Sequence, residues 1–491
     1  MCIMLNCLSP FWKQTWMAST VLFLNVGQGL VLGYMSILTA ALSAPDSSIK
    51  TDLASISWLA APFAPAAIIG GLSSCFFMGW QGRRKAYILF NIPGIIGLLL
   101  TYFAQNYLTL LIARILLGIT GGGLHSVSIV AIAEYVHPKY RCMFLNCKTV
   151  FFSSGITIVH ALGHYIHWRR AAVMILIPHI LSFIMAFMWT ESPAWFASKK
   201  RFEECKDAFF WIRGRSNSSK WEVKEMIKAQ RERLSNNKKL TNRIYFLELL
   251  KKITRSDFLK PFLIGVCAVI VMEMSGRHTY PAYALQFMAD IVGSQTQYYY
   301  YYTISLDLII IVSAICSSIL VRIINIRPLL FCTGFSALVA LFLGCIYLFL
   351  VSLDVISNDR PWIVILLFIV YFFLSNLGCT PIPITLAAEI FPLEHRVLAT
   401  SLLSTFACVI LMVNLKIVPY LLVQIKAYGT FAIFGTSTTI GLVALYFILP
   451  ETKNKTLQEI EDYFYNRNLK NKNDNDLNDD YDLKIVNDEE I

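Results

Sequence analysis

Two short stretches decide the fold: AEYVHPKYR at residues 133–141 and AEIFPLEHR at residues 388–396. Each has a Glu followed seven positions later by an Arg, with a Pro between them, at the end of a long apolar run. The matching pairs are Glu134 with Arg141 and Glu389 with Arg396. A repeat about 255 positions apart in so apolar a chain predicts a duplicated bundle of membrane helices, which is typical of transporters and not of enzymes.

The composition also indicates a membrane protein. Hydrophobic residues make up 56% of the 491 residues and charged residues 15%, which lies outside the range of soluble domains. A membrane-spanning helix needs about 20 apolar residues, and the chain holds about twelve such runs. We therefore expect an all-α integral membrane protein with two six-helix pseudo-repeats. The predicted spans are 16–40, 57–79, 86–105, 107–131, 145–166, 171–189, 262–290, 298–321, 328–352, 362–387, 398–424 and 429–449.

The positions of Lys and Arg predict the orientation. The connections after spans 2 and 4 are cationic, at 83–85 and 139–148, and so is the long segment 190–258. The positive-inside rule then places both termini and this segment in the cytosol. The net charge of +11 therefore indicates topology, and no nucleic-acid partner is predicted. The predicted domains are a cytosolic N-terminus (1–15), an N-terminal six-helix bundle (16–189), a cytosolic linker with short helices around 200–213 and 220–234 (190–258), a C-terminal six-helix bundle (259–449) and a cytosolic tail (450–491), largely disordered after about residue 466.

Six motifs stand in order at the predicted span boundaries. They are Gly82-Arg83-Arg84, Glu134 with Arg141, Glu191-Ser-Pro-Ala-Trp195, Pro381-Ile-Pro383, Glu389 with Arg396, and PETKNKTLQEI at 450–460. Together they resemble the sugar porter branch of the major facilitator superfamily, and within it most closely the insect facilitated trehalose transporter-like proteins. The resemblance covers about 450 residues. It implies a multi-pass carrier, expected in the plasma membrane, whose two halves rock about a central solute site.

The resemblance implies that Arg–carboxylate pairs at the inner helix ends act as a gate, because part-buried pairs are directional and can break and reform. The gate candidates are Arg83, Arg84, Arg114, Glu134, Arg141, Glu191, Glu389, Arg396 and Glu451. The alternative is static charge at a membrane edge. The family's acidic signature positions are Gly79 and Arg322 in this chain, and we expect this loss to favour an inward-facing resting state.

In span 7 the chain reads MEMSGRH at 272–278, where the family has QQLSGIN. A sugar site needs amides and aromatic rings near the midplane, yet most of the family's contacts are replaced. The candidate substrate residues are Thr149, Glu273, His278, Tyr280, Tyr283 and Asn376, and the candidate hinge and packing residues are Gly276, Pro381 and Pro383. The charges at 273 and 277 suggest an altered substrate, or a pair at i and i+4 that satisfies itself.

Proton-coupled relatives carry an Asp in span 1 opposite an Arg in span 4. Arg114 keeps the Arg, but Met35 replaces the acid, so the resemblance favours facilitated transport of trehalose, a hexose or a related solute. Glu273 or His278 could replace the missing acid. The alternatives are a non-transporting sensor and a carrier of a charged solute. No enzymatic constellation or ATP-binding loop is apparent, and neither a cofactor, a metal nor an obligate protein partner is predicted; the partners are the solute and the lipid bilayer.

Overall fold

The structure is a computed structural model that describes residues 9–44, 49–163, 165–236, 256–292, 298–356, 361–383, 386, 390 and 396–450. The side chains of a few residues inside these helices, among them Arg141, Arg322 and Arg396, also lie outside the described part. The predicted gate residues Glu389 and Glu451 and the tail after residue 450 fall outside it as well. Throughout, the end of the bundle at which the first helix begins is called the inner end, and the opposite end the outer end.

The described chain is helical from end to end, as predicted. The first half contains α1 (Pro10–Ser43), α2 (Leu53–Ala60), α3 (Phe63–Gln81), α4 (Arg83–Phe103), α5 (Tyr107–Tyr135), α6 (Pro138–Gly163) and α7 (Trp168–Ala186). The connecting segment contains α8 (Pro193–Ser198), α9 (Phe202–Arg213) and α10 (Asn217–Asn236). The second half contains α11 (Ser256–Met274), α12 (Thr279–Val292), α13 (Tyr298–Ile323), α14 (Ile326–Ser352), α15 (Pro361–Leu377) and α16 (Arg396–Ile448).

Ten helical stretches of the described chain are long and apolar enough to cross a membrane. α6 is not among them, but it packs between α1 and α13 as a full member of the bundle. α16 has 53 residues, about 80 Å at 1.5 Å per residue, and it is broken at Lys426, where φ is 56°. The predicted number of twelve is reached only when α6 is added and α16 is counted as two crossings.

Large apolar side chains cover the outside of the bundle. Phe447 is 76% exposed, and Ile69 and Phe76 are similarly open, which in a soluble protein would be an aggregation hazard. Here the long apolar helices and their exposed apolar belt identify a multi-pass membrane protein.

Close packing inside the first half depends on small residues. At Gly122 on α5 a Cβ would lie 1.8 Å from the carbonyl oxygen of Ala67 on α3, so only glycine allows the two backbones to approach this closely. The same helices also approach at Gly118. Small residues at these positions therefore allow the close packing of α3 against α5.

The linker helices predicted around 200–213 and 220–234 are present as α9 and α10. They form a small apolar cluster of their own, in which Cys205 and Phe209 pack against Val223 and Ile227. Gln14 at the start of α1 donates to the carbonyl of Ile212, 3.2 Å away. These contacts hold the linker against the inner end of the first half.

Candidate functional site

The inner end of the first half is tied together by a bidentate ion pair. Arg83 begins α4, and its Nε and Nη2 donate to the two carboxylate oxygens of Glu134 on α5 at 2.9 and 2.7 Å. The hydroxyl of Ser192 donates to the same Glu134 carboxylate. Both charged side chains are a little under one-fifth exposed, a setting in which such pairs are directional and less screened than on an open surface.

Glu191 completes this inner network through the backbone. Its Oε1 accepts the N–H groups of Arg83, Arg84 and Ser192 at 2.6, 3.2 and 3.0 Å, as expected for an anion at a helix N-terminus. Gly82 has φ of 100°, and a Cβ there would lie 2.4 Å from the Glu191 carboxylate. Burial raises the pKa of the Glu191 carboxyl, although the three N–H groups and the Arg83 guanidinium act in the opposite direction.

The predicted gate residues are thus only partly brought together. Arg83, Glu134 and Glu191 form one network, and Arg84 turns aside to donate to the carbonyl of Phe187 at 2.6 Å. The side chains of Arg141 and Arg396, and the whole of Glu389 and Glu451, lie outside the described residues. The predicted second network stays a prediction.

Arg114 does not belong to this network. It lies in the outer half of α5, 3% exposed, with its guanidinium over the ring of Phe63 at 5.2 Å. Its Nε and Nη1 have no hydrogen-bond partner among the described residues. Met35, which stands where coupled relatives have an acid, is fully buried. The sequence grouped Arg114 with the gate candidates as the counterpart of the span-4 Arg of proton-coupled relatives, but the length of α5 separates it from the inner end.

The seventh crossing breaks in the middle, at residues 275–278. Gly276 has φ of 80°, a left-handed conformation that glycine adopts without steric penalty. The hydroxyl of Tyr371 donates to the freed carbonyl of Ser275 at 3.0 Å, which satisfies a backbone group that lipid could not. The predicted loosening of the helix at Gly276 is a complete interruption between α11 and α12.

This break determines which charges meet. Glu273, 2% exposed, faces His278, whose Nδ1 lies 3.1 and 3.2 Å from its two carboxylate oxygens. The proposed i, i+4 pair of Glu273 with Arg277 is not formed, because the left-handed turn at Gly276 ends the helical spacing. One terminal nitrogen of Arg277, Nη1, is buried without a partner in the described part of the chain.

Two further basic residues face the same break from the first half. Lys148 on α6 is only 9% exposed, with its Nζ 3.4 Å from Nδ1 of His125 on α5. His125 interacts electrostatically with Lys148, Arg277 and His278. Lys148 was assigned to a loop that marks topology; that assignment is wrong, because α6 begins at Pro138 and carries Lys148 about 15 Å into the bundle. His125 was not predicted at all.

The other substrate candidates differ in whether their polar side chains already have a hydrogen-bond partner within the protein. Thr149 follows Lys148 and is half-buried, whereas Tyr283 donates to the carbonyl of Leu415 at 2.7 Å and is structural. Tyr280 is buried and contacts the ring of Phe372 in a tilted arrangement, with 4.6 Å between the ring centroids. Its hydroxyl has no partner among the described residues.

Helix α15 holds the remaining candidates. Asn376 donates to the carbonyl of Phe372 in its own helix at 2.8 Å. Pro381 and Pro383 lie just beyond the end of α15. A proline cannot continue an interior helical hydrogen bond, which agrees with their place after α15; their predicted hinge and packing role stays a prediction.

At the outer end the two halves are joined by a buried pair that the sequence did not reveal. Nδ1 of His160 on α6 lies 2.6 Å from Oδ2 of Asp307 on α13, and Nε2 lies 3.1 Å from the carbonyl of Pro281 on α12. The two side chains are 0% and 1% exposed. The available signal was a His and an Asp inside apolar spans, where each is costly unless paired.

The model of the family described as sugar (and other) transporter matches residues 15–464. A facilitated trehalose transporter Tret1 of Apis mellifera ligustica is 27% identical over 444 residues, which cover 89% of this chain and 86% of the relative. The Tret1 protein of Drosophila virilis is 28% identical over 458 residues, 92% of this chain and 48% of the relative. The chain therefore spans about half the length of that fly relative.

Solved structures show the same architecture. The inward open conformation of the xylose transporter XylE from E. coli matches with a TM-score of 0.73 at 17% identity, covering 93% of this chain and all of that one. A second structure shows the major facilitator superfamily proton:xylose symporter XylE bound to 6-bromo-6-deoxy-D-glucose. It matches with a TM-score of 0.69 at 17% identity, covering 93% of this chain and 99% of that one. At such identities the likeness shows the fold, and it confirms the fold class predicted from the repeated motif.

Proposed function

This chain belongs to the sugar (and other) transporter family and has the major facilitator fold, and from that premise we propose that it carries a sugar or a related polyhydroxylated solute across a membrane by alternating access. The Tret1 relatives are facilitated trehalose transporters by name, and trehalose or a hexose is the first solute to test. Such relatives are carriers, a class distinct from enzymes.

The observation that carries this proposal is the closure of the outer end by contacts between the two halves. Beside the His160–Asp307 pair, the N–H of Leu285 on α12 donates to Ser36 on α1 at 3.1 Å. Ser57 on α2 donates to the carbonyl of Lys416 on α16 at 3.0 Å. Contacts of this kind must break when the outer end opens, as alternating access requires.

We assign the structure to an inward-facing state. The inner network of Arg83, Glu134 and Glu191 stays within the first half, whereas the outer contacts bridge the halves. The match to inward open XylE supports this assignment, as does the replacement of the signature acids by Gly79 and Arg322.

We further propose that transport is facilitated and not coupled to protons. XylE is a proton:xylose symporter, but Met35 in this chain offers no carboxylate opposite Arg114. Without a group that gains and loses a proton there, the solute moves down its own gradient. The pair of Glu273 and His278 is the competing candidate for a proton site.

By family expectation the protein resides in the plasma membrane with both termini cytosolic. The cationic segments at 83–85 and 190–258 support this orientation through the positive-inside rule. The linker helices α8–α10 then lie on the cytosolic side.

The test is uptake in oocytes of labelled trehalose and glucose, with and without an imposed pH gradient, for the wild type and for Glu273→Gln. Saturable uptake that ignores the gradient in both proteins supports a facilitator. Uptake that follows the gradient in the wild type and loses this dependence in Glu273→Gln would assign proton coupling to Glu273. No uptake of either sugar by protein present at the cell surface would contradict the sugar carrier.

A further inference from the structure

The space beside the break in the seventh crossing holds more basic than acidic groups. Arg277 is charged at any physiological pH, and it interacts electrostatically with Lys148. The carboxylate of Glu273 faces His278 and also interacts electrostatically with Arg277. No described carboxylate forms an ion pair with Lys148 or Arg277, so this one acid is outnumbered by the basic groups around it. A cation in a low-dielectric interior is costly unless a counter-charge is supplied.

These basic groups come from different helices of both halves and approach one another beside the break. His125 is on α5, Lys148 on α6, and Arg277 and His278 lie at the break between α11 and α12. His125 is exposed although it lies in the middle of its helix. It lies beside Lys148 and interacts electrostatically with Arg277 and His278 of the second half, which places it between the halves. Lys148 has an imidazole as its described partner, and Arg277 keeps a buried Nη1 without one.

We propose that His125, Lys148, Arg277 and His278, here called the basic cluster, bind an anionic group on the transported solute. The substrate class is then a sugar that bears a carboxylate or a phosphate. This inference rests on the proposed function as a sugar carrier and specifies its substrate. An arginine binds such oxyanions with two parallel hydrogen bonds, and a lysine adds a compact point charge.

The surroundings of the basic cluster suit the rest of a sugar. The hydroxyl of Thr149 and the carboxylate of Glu273 can bind sugar hydroxyls beside the charged group. The ring of Phe152 lies 6.3 Å from that of His278 and offers an apolar face to a pyranose. Positive charge alone would attract any anion, whereas these neighbours select one that carries hydroxyls.

The experiment uses three hexoses that differ only at C6: D-glucose, D-glucuronate and D-glucose 6-phosphate. Each is given to voltage-clamped oocytes that display the full chain, with uptake and current recorded together. An inward-moving anion carries an outward current, whereas glucose carries none. Comparison of D-glucuronate with D-glucose 6-phosphate shows whether the protein accepts a carboxylate or a phosphate as the anionic group.

Charge variants identify the site. Lys148→Gln and Arg277→Gln should each lower uptake of the accepted anionic hexose by about tenfold, the effect of one lost charge-assisted contact of about 1.4 kcal/mol. Lys148→Arg keeps the charge and should restore most of that uptake, which excludes misfolding as the cause. Lys220→Gln, on the exposed surface of α10, is the matched control and should change nothing.

Uptake of glucuronate or glucose 6-phosphate that is accompanied by an outward current supports the inference if both uptake and current are lost in Lys148→Gln and Arg277→Gln. Uptake of glucose alone would overturn it and leave the proposed function standing. Anionic uptake unaffected by either variant would remove the basic cluster from the site. Uptake of none of the three hexoses by protein present at the cell surface would overturn the inference. The proposed function would then be decided separately, by whether the protein takes up trehalose.

Discussion

His160 and Asp307 form a buried ion pair between the two halves of the molecule, with 2.6 Å from Nδ1 to Oδ2. Neither side chain reaches solvent, and Pro281 holds the second ring nitrogen through its carbonyl. Because the pair joins α6 to α13, the outer end cannot open until it breaks. Its geometry therefore sets part of the balance between inward-facing and outward-facing states.

The first prediction concerns this balance. Asp307→Asn leaves His160 without its counter-charge, and loss of one partner of a buried pair costs about 3–5 kcal/mol in the state that contains it. The outer end should therefore open more often. A cysteine placed at Ser36 should react faster with a membrane-impermeant thiol reagent in this background.

A matched control for that variant is Tyr283→Phe. It removes an equally buried hydrogen bond, to Leu415, but this bond lies within one half. Equal labelling rates in Asp307→Asn and in its parent would show that the pair does not hold the outer end closed.

The second prediction concerns the inner network. Arg83→Lys keeps the charge but cannot make two parallel hydrogen bonds to Glu134. We expect the maximal uptake rate to fall several-fold while surface expression is maintained, because the ends of α4 and α5 are less firmly joined. Arg201→Lys is the control, since its pair with Glu204 is about half exposed and such pairs contribute about 0–1 kcal/mol. A similar loss in both variants would refute a special role for Arg83.

The third prediction concerns pH. Burial raises the pKa of Glu191 in the folded protein, so the folded state holds this proton more tightly than the unfolded state does. The stability that this proton provides is fully present below the unfolded pKa of about 4.3 and is lost as pH rises through the raised folded pKa.

Thermal unfolding of the detergent-solubilised protein between pH 4 and 7 checks this sign. Glu191→Gln cannot ionise, so the Tm of this variant relative to the Tm of the wild type should increase as pH rises. A difference that is constant over that range, or that moves towards the wild type, would contradict the prediction.

The fourth prediction concerns the crossing of α3 and α5. Gly122→Ala places a Cβ against the carbonyl of Ala67, and such overpacking costs about 1–3 kcal/mol. We expect a lower Tm and reduced surface expression. Gly79→Ala, where no atom lies within 4 Å of the new Cβ, should leave both unchanged. Comparable losses in the two variants would contradict a specific role for the close crossing at Gly122, since alanine has the higher helix propensity at both positions.

The positions of the crossings could be read from the sequence because the bilayer imposes a length and an apolar composition on each helix. The repeated Glu and Arg motif indicated the duplicated fold because it recurs at the ends of equivalent helices in the two halves. The sequence named Arg83 and Glu134 as gate candidates at the inner helix ends, but it grouped Glu134 with Arg141, and the pairing of Arg83 with Glu134 came from the structure.

The pairing of buried charges depended on the tertiary structure. Sequence spacing placed Glu273 opposite Arg277, but the left-handed turn at Gly276 directs Glu273 to His278. Lys148 was counted with the cationic connection at 139–148, whereas α6 begins at Pro138 and carries Lys148 into the bundle.

The sequence by itself determined the membrane class, the duplicated helical fold and the helix-end motifs, because these follow from local composition and short-range order. Only the tertiary structure decided that His160 meets Asp307 across the halves and that Lys148 approaches His125 and Arg277. Such contacts join residues far apart in the chain, and their partners are chosen by helix packing and by the position of one helix break, neither of which a local pattern encodes.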